Sequence, residues 1–194
     1  MANTARVSGF HPIGHMLSGP VHGRVTRMAA TDSNSMFVGD IVKFDGTAST
    51  DNFLRGITKI TATSDIPAGV VVGFEPLRSN LNLGSSYKEA NGTDRVVLVS
   101  DDPNTLYWAN CTVALDTLDV GLNISVITTA GSTTTGISSM ELDGDTEATT
   151  ATLICRIVGF LEAEDNDPIL ANSKVVVRFN RHAYTVDTAA SAGV

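Results

Sequence analysis

Past residue 35 the chain alternates apolar and polar residues with a period of two, and hardly any window of 11 residues carries the three-and-four spacing of an amphipathic helix. The apolar runs fall at 36–44, 57–63, 70–74, 95–99, 106–109 and 124–128, each bounded by turn-forming residues. Inside the first run, Gly39-Asp40 predicts a bulge or tight bend, and Asp45-Gly46 predicts the turn that follows. Pro67 and Gly69 suit the second and fourth positions of a type I turn leading into 70–74. Asn91-Gly92 and Asp102-Pro103 punctuate the chain on either side of 95–99. The clearest pair of strands comes last. Leu153, Cys155, Ile157 and Leu161 share one face, with Ile154, Val158 and Phe160 on the other, which predicts a central strand buried on both faces except near Arg156. Its partner, 174–181, sets Val175, Val177 and Phe179 against Lys174, Arg178 and Asn180, the pattern of a half-buried strand. The acidic stretch 162–168 between them reads as a solvated hairpin tip. The pattern as a whole predicts an all-β fold, an antiparallel β-barrel or β-sandwich.

The first thirty residues break this pattern. Gly9, Gly14, Gly19, Gly23, Pro12 and Pro20 interrupt any period, yet Phe10, Ile13, Met16, Leu17 and Val21 stand between them. A segment too broken to fold alone and too apolar to stay solvated predicts an extended N-terminal arm, residues 1–30, that gains its order on another surface. Residues 31–194 then form a single β-rich body, with a Thr-, Ser- and Gly-rich surface loop at 128–151 that has room for a short irregular strand.

Charge sharpens the division. The first thirty residues contain no acid, and Arg6, Arg24 and Arg27 give them about +3, so within a total of −8 the remainder carries about −11. An acidic body argues against nucleic acid as a partner, because phosphate binding needs a basic face. Charged residues make up only 18% of the chain, so much of the surface is Ser, Thr, Ala, Gly and Asn, a composition that suits a surface partly covered in an assembly. No secretory leader and no apolar run long enough for a membrane span are present, which predicts a soluble protein made in a cytosol. Cys111 and Cys155 sit in apolar runs and read as buried free thiols.

Candidate chemistry is thin. Asp143-Gly-Asp145-x-Glu147 invites a calcium reading, but glycine does not stand at the sixth position and no bidentate glutamate at the twelfth. His11, His15 and His22 have no helix to set two imidazoles on one face for zinc. His182 has no nucleophile elbow or papain-like cysteine to serve, and no phosphate-cradling glycine loop is present. Tyr107 and Trp108 could stack a ligand, although an aromatic pair in a strand more often supplies one core ring and one surface ring. No enzyme activity, cofactor or metal is expected.

Several ordered segments carry a resemblance: Gly9-Phe10-His11-Pro12-Ile13-Gly14, Gly39-Asp40-Ile41-Val42-Lys43, residues 101–107, Gly136 with residues 138–143, Arg156-Ile157-Val158-Gly159 and residues 175–180. In this order they resemble the head decoration, or capsid cement, proteins of tailed bacteriophages, with Ile41 standing where such sequences often have proline. The resemblance implies a virion structural protein on the outer surface of the icosahedral head, made in the bacterial host cytoplasm. It implies the major capsid protein and further copies of itself, as a homotrimer, for partners, with neither nucleic acid nor membrane. The arm, chiefly Arg6, Phe10, Ile13, Leu17, Arg24 and Arg27, would then lie on the shell as an apolar clasp, its arginines setting register. A tail- or fibre-associated module binding a host glycan through Tyr107 and Trp108 is the alternative.

Overall fold

The structure is a computed structural model and describes residues 3–17, 25–30, 33–49, 53–76, 86–91 and 94–185. The expected all-β class holds: thirteen strands and one 3₁₀ turn make up the regular structure of the described residues. The strands are β1 (His11–His15), β2 (Val25–Ala30), β3 (Met36–Phe37), β4 (Ile41–Ala48), β5 (Arg55–Lys59), β6 (Gly69–Phe74), β7 (Tyr87–Lys88), β8 (Arg95–Ser100), β9 (Thr105–Asn110), β10 (Asn123–Ile127), β11 (Glu141–Ala148), β12 (Cys155–Phe160) and β13 (Lys174–Phe179).

They form a closed barrel, β2-β5-β4-β6-β8, and a six-stranded antiparallel sheet, β1-β9-β13-β12-β10-β11, while β3 and β7 make a separate small ribbon. Within the barrel only β2 and β5 run parallel, with Ala29 opposite Gly56 and Ala30 opposite Ile57. The chain passes from barrel to sheet through the tight connection between β8 and β9. There the Asp102 carboxylate accepts from the Asn104 amide at 2.8 Å, and the Tyr107 hydroxyl donates back to the Ser100 carbonyl at 3.1 Å.

Period-two alternation explains how barrel and sheet share a wall between two cores. Val42, Val71, Val97 and Val99 fill the barrel with Met28, Ala30, Met36 and Ile57. Their chain neighbours Ile41 and Val70 point the other way, into the larger cluster with Phe10, Tyr107, Ile124, Leu142, Ile157, Val175 and Val177. β4 and β6 are therefore a common wall, buried on both faces where they begin.

Several expectations change. Residues 11–15 and 25–30, assigned to the arm, pair as strands with β9 of the sheet and with β8 of the barrel. β1 survives Pro12 and Gly14 because it is an edge strand, where a missing N–H costs no ladder bond, and the irregularity between Pro12 and Gly14 absorbs the misfit. The strand within 128–151 is longer than the short irregular one allowed for: β11 runs for eight residues, and its Leu142 enters the core while its acids lie mostly on the other face. β12 is central in pairing, between β13 and β10, but is open on one face, with Val158 37% exposed. Asp45-Gly46 lies within β4, where Gly46 takes φ +84° and the register to β5 shifts.

Candidate functional site

Segments far apart in sequence converge on one buried carboxylate. Asp40 follows Gly39 at the tight bend between β3 and β4 and is fully buried. Its Oδ2 accepts from the Phe37 amide at 2.9 Å, and its Oδ1 accepts from the Ser138 hydroxyl at 2.5 Å. Ser138 Oγ in turn accepts from the Met140 amide at 3.0 Å, and the Met140 sulfur takes the Ile41 amide at 3.3 Å. Backbone bonds add Val38 N–H to the Gly136 carbonyl, Ser138 N–H to the Val38 carbonyl and Phe10 N–H to the Gly39 carbonyl, at 3.1, 2.8 and 2.9 Å. Burial raises the Asp40 pKa, opposed by the charge of Lys59 and by the Ser138 and Phe37 donors. Lys59 is itself 7% exposed and donates to the Thr129 carbonyl at 3.0 Å.

The crossing requires glycine on both sides. Gly9 adopts φ +77°, and a Cβ there would stand 2.6 Å from both the Gly39 carbonyl oxygen and Ser138 Cβ. Gly39 adopts φ +93°, and its Cβ would meet the Ser8 oxygen at 2.7 Å.

The N-terminal segment is fastened at several further points. Asn3 donates through Nδ2 to the carbonyls of Asp167, Leu170 and Ala171 at 2.8, 3.3 and 3.2 Å, and its Oδ1 accepts from the Asp167 amide at 2.8 Å. The His11 ring stacks on Trp108 with centroids 4.6 Å apart, and its Nε2 lies 2.8 Å from Ser8 Oγ. His15 Nε2 lies 3.2 Å from an Asp102 oxygen, its Nδ1 accepts from the Leu17 amide at 3.1 Å, and the Met16 amide bonds the Asn104 carbonyl. Where β1 ends, Met16 and Leu17 stand 48% and 74% exposed.

The residues expected to bind a shell therefore divide. Arg6 and Leu17 are exposed and Ile13 is half-buried on β1. Phe10, at 1% exposure, is part of the chain's own core and has no surface to offer a partner, because its apolar ring is taken up by the large cluster. Arg27 is exposed on β2 but holds Glu75, Nε to Oε1 and Nη2 to Oε2, the latter at 2.9 Å. Arg24 lies outside the described residues. Asn3, Asp40, Ser138 and Met16 were not singled out as site residues: Asp40 registered only as a bend, and Asn3 carries no local signal.

Other candidates come apart. His11 and His15 engage Trp108 and Asp102 separately, and His22 lies outside the described residues. Among the described residues no group of three His, Cys, Asp or Glu side chains could hold a metal ion. Both cysteines are buried and free. Burial pushes the Cys111 thiol up to about 11 and the Cys155 thiol higher still. Tyr107 is wholly buried, leaving only Trp108 of the aromatic pair partly exposed, with one face against His11.

No protein family, no curated protein and no solved structure matches this chain.

Proposed function

We propose that this chain is a virion structural protein of the head-decoration class, binding the outside of an icosahedral phage shell and bracing neighbouring capsid subunits. The observation that carries the reading is the convergence at Asp40. Three of the segments bearing the resemblance, Gly9-Phe10, Gly39-Asp40-Ile41 and Gly136 with Ser138 and Met140, are distant in sequence and in contact in space. What supports the reading is that these segments form one packed junction of the chain.

The docking element in this reading is the surface flanking β1, with Arg6, Val7, Ile13, Met16 and Leu17, rather than a loose arm. A strand already held by Asn3, His11 and His15 loses little further freedom on binding, which favours attachment. Tyr107 is buried and cannot stack on a sugar, so the glycan-binding alternative loses one of its two rings.

Truncation is the wrong test, since removing residues 2–27 would take away β1, Phe10 and half of β2. The informative variant is Met16→Ser with Leu17→Ser, tested by co-sedimentation with empty expanded heads of a tailed phage that carries this gene. Wild type should pellet with the shells, and the variant should bind at least about tenfold more weakly, since one buried leucine contributes about 1.5–3 kcal/mol. Wild type that stays in the supernatant refutes the function; equal binding by the variant refutes the assignment of its surface.

A further inference from the structure

Two surface features of opposite charge lie at opposite ends of β13. At its start, the connection from β12 exposes Glu162, Glu164 and Asp165, and beside them Ile169 is 59% exposed. Lys174 reaches Asp165 at 2.7 Å and the charge of Arg6 also acts on it, while Glu162, Glu164 and Asp167, which accepts from the Ile169 amide, keep the tip acidic. Asn3 holds the tip in shape through its four hydrogen bonds to residues 167–171.

Past the other end of β13 lies a groove of about 450 Å³, with Phe44 and Ile66 among its lining residues together with Lys43, Ser64 and Asp65. Asp65 is satisfied within the groove: Lys43 Nζ bonds it at 2.6 Å, and the Thr61 and Ala62 amides donate to its other oxygen at 2.9 and 3.1 Å. Two arginines flank the groove, with the Asp45 carboxylate beside Gly56 on the Arg55 side. The Arg55 guanidinium sits 4.1 Å from the Phe44 ring centroid, and Arg181 donates to the Ser64 carbonyl at 3.2 Å. Tyr184 packs its ring at an angle against Phe44, centroids 5.4 Å apart.

We infer that this groove receives the acidic tip of a second copy of the chain, Ile169 entering against Phe44 and Ile66 while Glu162 and Glu164 meet Arg181 and Arg55. Charge complementarity selects the occupant: the chain carries −8 overall, yet around this groove Lys43, Arg55 and Arg181 outnumber Asp45 and Asp65 beside the Phe44 ring, and the tip has the reverse sign with an apolar knob. The tip cannot serve its own groove, since the six residues of β13 alone hold the two about 17 Å apart. A contact between different patches on two copies is heterologous and propagates head to tail, closing into a ring where the rotation allows. The clamped tip is pre-organised, so little ordering cost opposes the contact.

Charge reversal in both directions tests this with the full chain. Glu162→Lys with Glu164→Lys reverses the tip, and Arg55→Glu with Arg181→Glu reverses the groove; circular dichroism and thermal unfolding check that each variant remains folded. In sedimentation velocity at about 20 mM salt, wild type should exceed the monomer mass of 20.4 kDa and fall back toward it at about 0.5 M. Each reversed variant alone should remain monomeric, and an equimolar mixture of the two should associate again, because each reversed tip then finds a groove of opposite sign. A wild type that is monomeric at low salt overturns the inference. So does association that either reversal leaves intact, or a mixture of folded variants that stays monomeric. Binding to phage shells is a separate readout, so failure here leaves the docking surface beside β1 untouched.

Discussion

Replacing Asp40 by alanine strikes the point where the N-terminal segment, the bend before β4 and residues 136–140 are held together. The change deletes two hydrogen bonds to a buried carboxylate, from Phe37 N–H and Ser138 Oγ–H, each contributing about 1.5–3 kcal/mol when the acceptor is charged. It also strips the nearly buried Lys59 of a compensating negative charge. Against this stands relief of the carboxylate's desolvation, several kcal/mol. The balance is a loss of about 3 kcal/mol, at the lower end of the cost of removing one member of a buried charged set. In a chain of this size that lowers Tm by about 6–12 °C. Calorimetry and urea unfolding measure it, and a double-mutant cycle with Ser138→Ala isolates the bond: the combined loss should fall short of the sum by about 1 kcal/mol or more. A Tm drop below about 3 °C, or strict additivity, would refute the junction as described. The pH dependence carries its own sign. Because the folded pKa of Asp40 lies above 3.8, the native state holds a proton that the unfolded chain has released, and this residue's contribution falls as pH rises through that window. Wild type should therefore lose stability relative to Asp40→Asn as pH increases from about 4.

Three further outcomes follow from the same structure. Gly9→Ala should cost at least about 2 kcal/mol, from positive φ and contact with Gly39 and Ser138 together, read as a shift in the urea midpoint; a neutral substitution would contradict the crossing. Burial lowers the His11 pKa below 6.5, so its neutral form favours the docked strand above that pH and the contribution is lost as pH falls through the folded pKa. Amide exchange in β1, corrected for intrinsic rates, should accelerate relative to β13 between about pH 7 and 5 in wild type but not in His11→Phe. Cys155, whose pKa burial raises, should resist a thiol reagent in the native protein and react in denaturant; rapid native labelling would contradict its burial.

The strands that sequence reveals are those in which each residue's neighbours at i±2 tell the same story. Val97 and Val99 in β8, and Val175, Val177 and Phe179 in β13, alternate inward and outward because one face of each strand meets a core. β1 has no such local pattern. Its order comes from pairing with β9 and from the ring of Trp108 against His11, partners almost a hundred residues away. The length of β11 was hidden for a related reason: Asp143, Gly144 and Asp145 have poor strand propensity, and pairing with β10 overrides it. The charge split of the first thirty residues was real but misleading about autonomy, since Phe10 spends its hydrophobicity inside the chain's own core. The junction at Asp40 was legible only as a kink, because a carboxylate's burial depends on donors such as Ser138 that period-two reading cannot bring near it.

The double-sided wall of β4 and β6 has a consequence for how this molecule comes apart. With Ile41 and Val70 in one cluster and Val42 and Val71 in the other, no cut of the chain yields a barrel fragment and a sheet fragment that each keep a whole interior. Pulling one free uncovers the other, so the two should melt in a single transition and resist a load as one body.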